Sequence, residues 1–140
     1  MKIQRYFKYA LLLWLPLFLA GCQPYIKESS YSCLNPGSAG ECEEEDEIIA
    51  QVEGNSIYVA HLNASYNCCP DDIKVILSFE ENNLKLSEEE INPVCDCICC
   101  YNIETEIKVF IPGEYIIEVC WDDWETQEEL CDIVEVVIPN

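Results

Sequence analysis

The sequence predicts an all-β fold: a single antiparallel β-sandwich of six to seven short strands, rich in disulfides. Three observations support this prediction. Short runs of alternating apolar and polar residues recur about every 8–12 residues, between turn signals. Cysteine occurs 11 times in 140 residues. No run has a convincing helical period, because the nearest candidate, SEEEINPV, is interrupted by Pro93.

The first 22 residues have the composition of an export signal. Three basic residues precede the apolar run YALLLWLPLFLA, which is shorter than the roughly 20 residues of a membrane-spanning helix. The run ends in LAGC, which resembles the lipobox of bacterial lipoproteins, the alternative being an ordinary signal peptide with a chance cysteine. The resemblance implies removal of residues 1–21 and a diacylglycerol-modified Cys22 whose acyl chains, such as palmitate, anchor the protein in the bacterial cell envelope. Because Gln23 rather than aspartate follows, the resemblance favours the outer membrane of a Gram-negative envelope.

The chain after Cys22 is strongly acidic. It holds all 27 acidic residues against four lysines, which leaves a formal net charge of −23. This charge repels nucleic acid, so nucleic-acid binding is excluded. Residues 22–47 lack hydrophobic periodicity and contain Pro, Gly and an acidic run, which predicts a lipid-anchored acidic tether. Residues 48–140 then make one folded domain.

Each predicted strand follows from its own alternation and flanking turns. The runs IIAQV and SIYVAHL are separated by the turn EGN, and IKVILSF leads through EENN into LKLSE. The runs IETEIKVFI, EYIIEVCW and IVEVVIP complete the set. In IKVILSF, alternation places Ile73, Val75, Leu77 and Phe79 on one face of the strand. In IETEIKVFI, it places Ile103, Thr105, Ile107 and Val109 on one face.

The stretch IPGEYIIEV resembles the penultimate strand of immunoglobulin-like and fibronectin-type sandwiches. Tyr115 stands at the place of the tyrosine in a tyrosine corner, which implies that its hydroxyl returns to the backbone. No cysteine follows two residues later and no tryptophan lies in the third strand, unlike in antibody domains. The combination of NCC, CDCICCY and GEYIIEV is also similar to uncharacterised cysteine-rich exported bacterial proteins, a resemblance that implies no activity.

Ten cysteines follow Cys22 in a chain routed out of the cytoplasm, which predicts disulfides. Cys33–Cys42 and Cys120–Cys131 are the expected local pairs. Two thiols of CDCICC are then expected to reach the pair in NCC, and the other two to bond within the cluster. This predicts that CDCICC is a folded loop, unless the local pairs are wrong. The six cysteines of the two motifs are Cys68, Cys69, Cys95, Cys97, Cys99 and Cys100.

The same six cysteines and the only histidine, His61, form an alternative metal site for zinc or copper. Their dense spacing resembles metallothionein-type thiolate clusters, whereas the paired C-x-x-C knuckles of zinc ribbons are absent. Disulfides are favoured because exported thiols tend to oxidise. Redox exchange is disfavoured because the negative charge of Asp96 opposes a thiolate beside it.

Other candidate sites are weaker. No catalytic residue is predicted, because the sequence offers no recognisable Ser-His-Asp or Cys-His arrangement. Residues 122–129, DDWETQEE, suit calcium in charge but lack the glycine of an EF-hand loop, which favours a solvated hairpin tip. An aromatic face that binds glycan or protein is weighed against ordinary packing for four residues. These are Trp121, Trp124, Tyr58 and Tyr101.

The sequence as a whole predicts a non-enzymatic, lipid-anchored envelope protein with a structural or interaction role and no cofactor. The alternative is an envelope lipoprotein that binds zinc or copper through thiolates. The expected partners are the membrane, through Cys22, and a protein or a glycan.

Overall fold

The computed structural model describes residues 23–34, 42, 44–123 and 125–140. These residues form eight β-strands in two four-stranded sheets, which confirms the predicted all-β class and the packing of two sheets. No helix long and apolar enough to cross a membrane occurs among them. The strands are β1 Tyr25–Cys33, β2 Glu47–Glu53, β3 Ser56–Asn67, β4 Asp72–Glu80, β5 Asn83–Ile91, β6 Ile98–Lys108, β7 Gly113–Asp122 and β8 Glu129–Ile138.

The first sheet has the order β1-β6-β3-β2, and the second has the order β4-β5-β7-β8. The prediction of a wholly antiparallel sandwich is wrong at one pair, because β5 and β7 are parallel, with Asn83 opposite Ile116. Parallel neighbours need a crossover connection, and β6 supplies it by passing through the opposite sheet. The strand count is eight rather than six to seven.

The additional strand is β1, which lies within the segment predicted to be a tether. It pairs with β6 from Tyr25 opposite Lys108 to Cys33 opposite Tyr101. Almost all of its side chains are exposed, so it has no apolar alternation to reveal it. Its place is set by backbone hydrogen bonds to an edge of the sheet and by the bond from Cys33. Residues 25–33 therefore belong to the sandwich.

The core lies between the sheets and is built from alternate residues of the central strands. The predicted face of β6 is confirmed, since Ile103, Thr105 and Ile107 on the strand and Val109 directly after it are all buried. The predicted face of β4 is confirmed except at Phe79, which is 40% exposed at the end of the strand. The largest apolar cluster contains Ile57, Val59, Leu84, Leu86, Ile107, Val109, Tyr115, Ile117, Val119 and Ile138.

Tyr115 connects this core to the backbone of the preceding corner. Its ring is buried, and its hydroxyl donates a 2.7 Å hydrogen bond to the carbonyl of Ile111. The prediction that the Tyr115 hydroxyl returns to the backbone is confirmed. The bond holds the turn before β7 against the strand that follows it.

Candidate functional site

All ten cysteines after Cys22 are paired in five disulfides. The predicted pair Cys120–Cys131 is confirmed, with the two residues directly opposite each other on β7 and β8 and their Cα atoms 4.1 Å apart. The other four bridges gather at the end of the sandwich where β1 and β3 end and β6 begins. They are Cys33–Cys99, Cys42–Cys100, Cys68–Cys97 and Cys69–Cys95.

The predicted local pair Cys33–Cys42 is wrong. Because β1 runs beside β6, Cys33 lies next to the thiol-bearing start of β6 and bonds Cys99, with the Cα atoms 6.0 Å apart. Cys42 bonds Cys100 across a Cα–Cα distance of 5.5 Å. Both distances lie in the usual range for disulfides. The neighbouring strand, rather than closeness in sequence, decides these pairs.

The loops after β3 and before β6 bring four sulfurs together. The prediction that the NCC pair bonds two thiols of CDCICC is confirmed, while the predicted bond within CDCICC is wrong. The predicted loop is correct for residues 95–97, but residues 99 and 100 belong to β6. The sulfurs of four cysteines lie within 4.8 Å of one another, so they also fit a tetrahedral thiolate site when reduced. These four are Cys68, Cys69, Cys95 and Cys97.

His61 does not join that group, and neither do Cys99 and Cys100, so the predicted seven-residue metal set is not brought together. His61 instead lies in the core, 1% exposed, where its Nδ1 is 2.7 Å from Oε2 of Glu88. The hydroxyl of Tyr66 donates a 2.7 Å hydrogen bond to the same carboxylate oxygen. Burial and the charge of Glu88 raise the pKa of Tyr66, which keeps this hydroxyl protonated.

A β-bulge allows His61 and Tyr66 to reach the same carboxylate. Residues five apart on a regular strand point to opposite faces. In β3 the register with β6 shifts between His61 and Ala64, and Asn63 has a positive φ of 57°. The additional residue returns Tyr66 to the inner face, opposite Glu88 on the other sheet. The alternation of Leu84, Leu86 and Glu88 was the one sequence signal for a buried carboxylate here.

The second ring nitrogen of His61 is buried and has no hydrogen-bond partner among the described residues. Oδ2 of Asp46 lies 3.7 Å from this Nε2 atom, and the ring of Trp121 lies 4.5 Å from the His61 ring, centroid to centroid. Asp46 and Trp121 both line a cavity of about 310 Å³ at the cysteine-rich end. His61 therefore lies directly behind a wall of this cavity.

The cavity is strongly acidic. Its described lining includes five carboxylate side chains and neither lysine nor arginine. Three of the carboxylates precede β2, and two belong to the turn between β7 and β8. They are Glu44, Glu45, Asp46, Asp123 and Glu125.

The predicted aromatic face is not assembled. Tyr101 is buried and donates its hydroxyl to the carbonyl of Asn67 at 3.1 Å. Tyr58 is on the outer face of the first sheet, far along β3 from the cavity that Trp121 lines. Trp124 lies outside the described residues, as do Cys22 and the rest of the segment predicted to be an export signal.

The hairpin tip between β7 and β8 holds its own aspartate in place. Asp123 accepts hydrogen bonds from the backbone N–H groups of Glu125 and Thr126 and from the Thr126 hydroxyl. These bonds, with those from Thr126 as the main cause, lower the pKa of Asp123. The arrangement is that of a solvated turn, as the sequence favoured.

A second polar cluster centres on Glu106, on the outer face of the first sheet. Its carboxylate accepts hydrogen bonds from Lys27 at 2.8 Å, Ser56 at 2.7 Å and Tyr58 at 3.3 Å. The bond from Lys27, followed by that from Ser56, lowers the pKa of Glu106 to about 2. The pair with Lys27 holds β1 against β6.

In comparisons with models of protein families, with curated proteins and with solved structures, nothing matches this chain.

Proposed function

We propose that this protein is a lipid-anchored lipoprotein of the bacterial cell envelope whose β-sandwich has a non-enzymatic structural or interaction role. The observation that supports it best is the pairing of all ten cysteines after Cys22. Disulfides form and persist in oxidising compartments, so this pairing fits the export that the LAGC motif implies. The domain works in this proposal by presenting a rigid, highly acidic surface to a protein or glycan partner.

We further propose that the sandwich is related to immunoglobulin-like domains. The bond from Tyr115 to the carbonyl four residues earlier supports this relation, because it has the form of a tyrosine corner. The parallel pairing of β5 with β7 is a departure from it. A shared sandwich architecture would leave the role of the domain open, because function lies in particular sites.

The start of β1 gives the proposal an orientation. Tyr25 begins β1 three residues after Cys22, so the lipid would hold that end of the sandwich at the membrane surface. The same end exposes three apolar side chains, Tyr25, Phe110 and Ile111. Nine strand residues span about 30 Å, so with this anchor the cysteine-rich end and its acidic cavity would lie away from the bilayer.

The anchor is tested by Cys22→Ser in the full-length chain. We expect this variant to lose incorporation of labelled palmitate and to move from the membrane fraction to the soluble fraction, since two or three acyl chains would supply the attachment. The double variant Cys120→Ser/Cys131→Ser is the matched control, because it removes cysteines without touching the anchor. Continued membrane retention of Cys22→Ser would refute the anchor.

A second candidate is a thiolate site for zinc or copper at Cys68, Cys69, Cys95 and Cys97. It is favoured by one observation, the mutual approach of the four sulfurs within 4.8 Å. Titration of free thiols in the unfolded protein, without prior reduction, decides between the disulfide-bonded module and the thiolate metal site. The module proposal expects no free thiols, whereas a thiolate site expects four per chain together with stoichiometric metal.

A further inference from the structure

The hydrogen bonds of Glu88 determine which nitrogen of His61 carries the proton. A carboxylate only accepts hydrogen bonds, and its Oε2 atom already accepts one from Tyr66. The short contact of the same oxygen with Nδ1 therefore places a proton on Nδ1. In the neutral ring the lone pair is then on Nε2, the atom without a partner among the described residues.

This lone pair faces a second group that also only accepts. Oδ2 of Asp46 is 3.7 Å from Nε2, too far for a normal hydrogen bond and close enough for repulsion between a lone pair and a carboxylate. A buried polar atom without a partner is costly. A positive ion between Nε2 and Oδ2 would give Nε2 a partner and would remove the repulsion between the two atoms. Tetrahedral zinc with one nitrogen and one oxygen ligand separates them by about 3.4 Å, close to the separation in this structure.

The surroundings have the features of a metal site. Metal-binding histidines almost always donate their other ring N–H to a carboxylate or carbonyl, and Glu88 takes this role for His61. Asp46 is partly exposed on the wall of the acidic cavity, so an ion has a route from solvent. Five carboxylates without a lysine or arginine in the described lining would concentrate cations there.

We propose that His61 Nε2 and Asp46 bind one divalent transition-metal ion, of which Zn²⁺ is the representative, at the inner wall of the acidic cavity. Imidazole nitrogen together with carboxylate oxygen suits zinc and its neighbours in the transition series better than calcium. Water completes the coordination, and the other cavity carboxylates act only by raising the local concentration of cations. Glu88 and Tyr66 are positioning residues that fix the ring and its tautomer. The site is independent of the lipid anchor and uses no cysteine.

The test uses the full-length exported protein in detergent, purified without a histidine tag and checked for the absence of free thiols. Because His61 is the only histidine, ¹⁵N-histidine labelling gives one pair of ring-nitrogen signals. We expect calorimetry to show about one Zn²⁺ per chain, and zinc to shift the Nε2 signal far more than the Nδ1 signal. Asp46→Asn should weaken zinc binding about tenfold or more. The matched control Glu45→Gln removes the same charge from the same cavity and should weaken it no more than about threefold.

Several results would overturn the proposal. One is an Nε2 signal that stays unchanged, or stays that of a protonated imidazolium, at saturating zinc. Equal losses of affinity in Asp46→Asn and Glu45→Gln would mean that the cavity attracts ions only by its net charge. Zinc that binds only after reduction would belong to the thiolates. The wild-type spectrum answers the question even if a variant folds poorly.

Discussion

The bridges Cys33–Cys99 and Cys42–Cys100 join the same two parts of the chain, so each can partly replace the other. Their sequence separations are 66 and 58 residues. On separation alone, loop-closure entropy assigns each a stabilisation of about 4 kcal/mol. However, while one of these bridges is intact, the other closes a much shorter loop. This loop runs from Cys33 to Cys42, across the intact bridge, and from Cys100 to Cys99, which is about ten residues. Removing either bridge alone should then cost about 2.7 kcal/mol.

The hairpin bridge Cys120–Cys131 is the matched comparison. Its separation is 11 residues, which corresponds to about 2.8 kcal/mol. Each of the three pairs contains one buried cysteine, so truncation to alanine leaves cavities of similar size. We therefore expect the three double alanine variants to lose nearly equal stability, despite a sixfold range of sequence separation.

Removing both long-range bridges should cost more than the two single losses together. Once one long-range bridge has been removed, the nearest bridge that shortens the loop of the other is Cys68–Cys97. The second bridge then closes an effective loop of about 30 residues, and its removal should cost about 3.6 kcal/mol. The excess is about 1 kcal/mol, which a double-mutant cycle can resolve.

The assay is equilibrium urea unfolding of the oxidised chain in a Cys22→Ser background, which removes the proposed site of lipid attachment. The variants are Cys33→Ala/Cys99→Ala, Cys42→Ala/Cys100→Ala, their combination, and Cys120→Ala/Cys131→Ala. A loss above about 4 kcal/mol for Cys33→Ala/Cys99→Ala, beside about 2.8 for the hairpin pair, would refute the idea that the long-range bridges substitute for each other.

Two further predictions concern side-chain hydrogen bonds. The pKa of Glu106 falls from 4.5 to about 2 on folding, so its stabilisation is present above pH 4.5 and is lost as the pH falls towards 2. Urea unfolding from about pH 6 to about pH 2.5 should therefore show a shallower acid loss for Glu106→Gln than for wild type, and equal slopes would contradict this. Tyr115→Phe removes the bond to the Ile111 carbonyl and should cost about 1 kcal/mol in urea unfolding, whereas the control Tyr25→Phe, at an exposed ring, should cost almost nothing.

The strands that could be predicted are those with one buried face. Burial of alternate residues imposes a period of two, so the residues from Ile103 to Ile107 on β6 and from Ile73 to Leu77 on β4 can be recognised from the local sequence. Strand β1 has no such period, because all of its side chains except Ile26 and Cys33 are exposed and its backbone pairs with β6. A pattern of side chains cannot predict a strand of this kind.

The candidate cation site shows the same limit. His61 and Glu88 each carried a sequence signal, one as the only histidine and the other as the polar continuation of an apolar alternation. Their contact depends on two sheets facing each other and on a bulge at Asn63 that turns Tyr66 inward. Neither is visible in local composition.

The sequence by itself determined the all-β class and the acidic character, because short-range alternation and residue composition carry that information. It also determined Cys120–Cys131, whose partners meet across one hairpin. Only the tertiary structure decided that Cys33 bonds Cys99 and that His61 faces Glu88 and Asp46. The physical reason is that these partners are chosen by which strands lie side by side and which sheets pack together. Those choices balance burial against chain entropy over the whole domain.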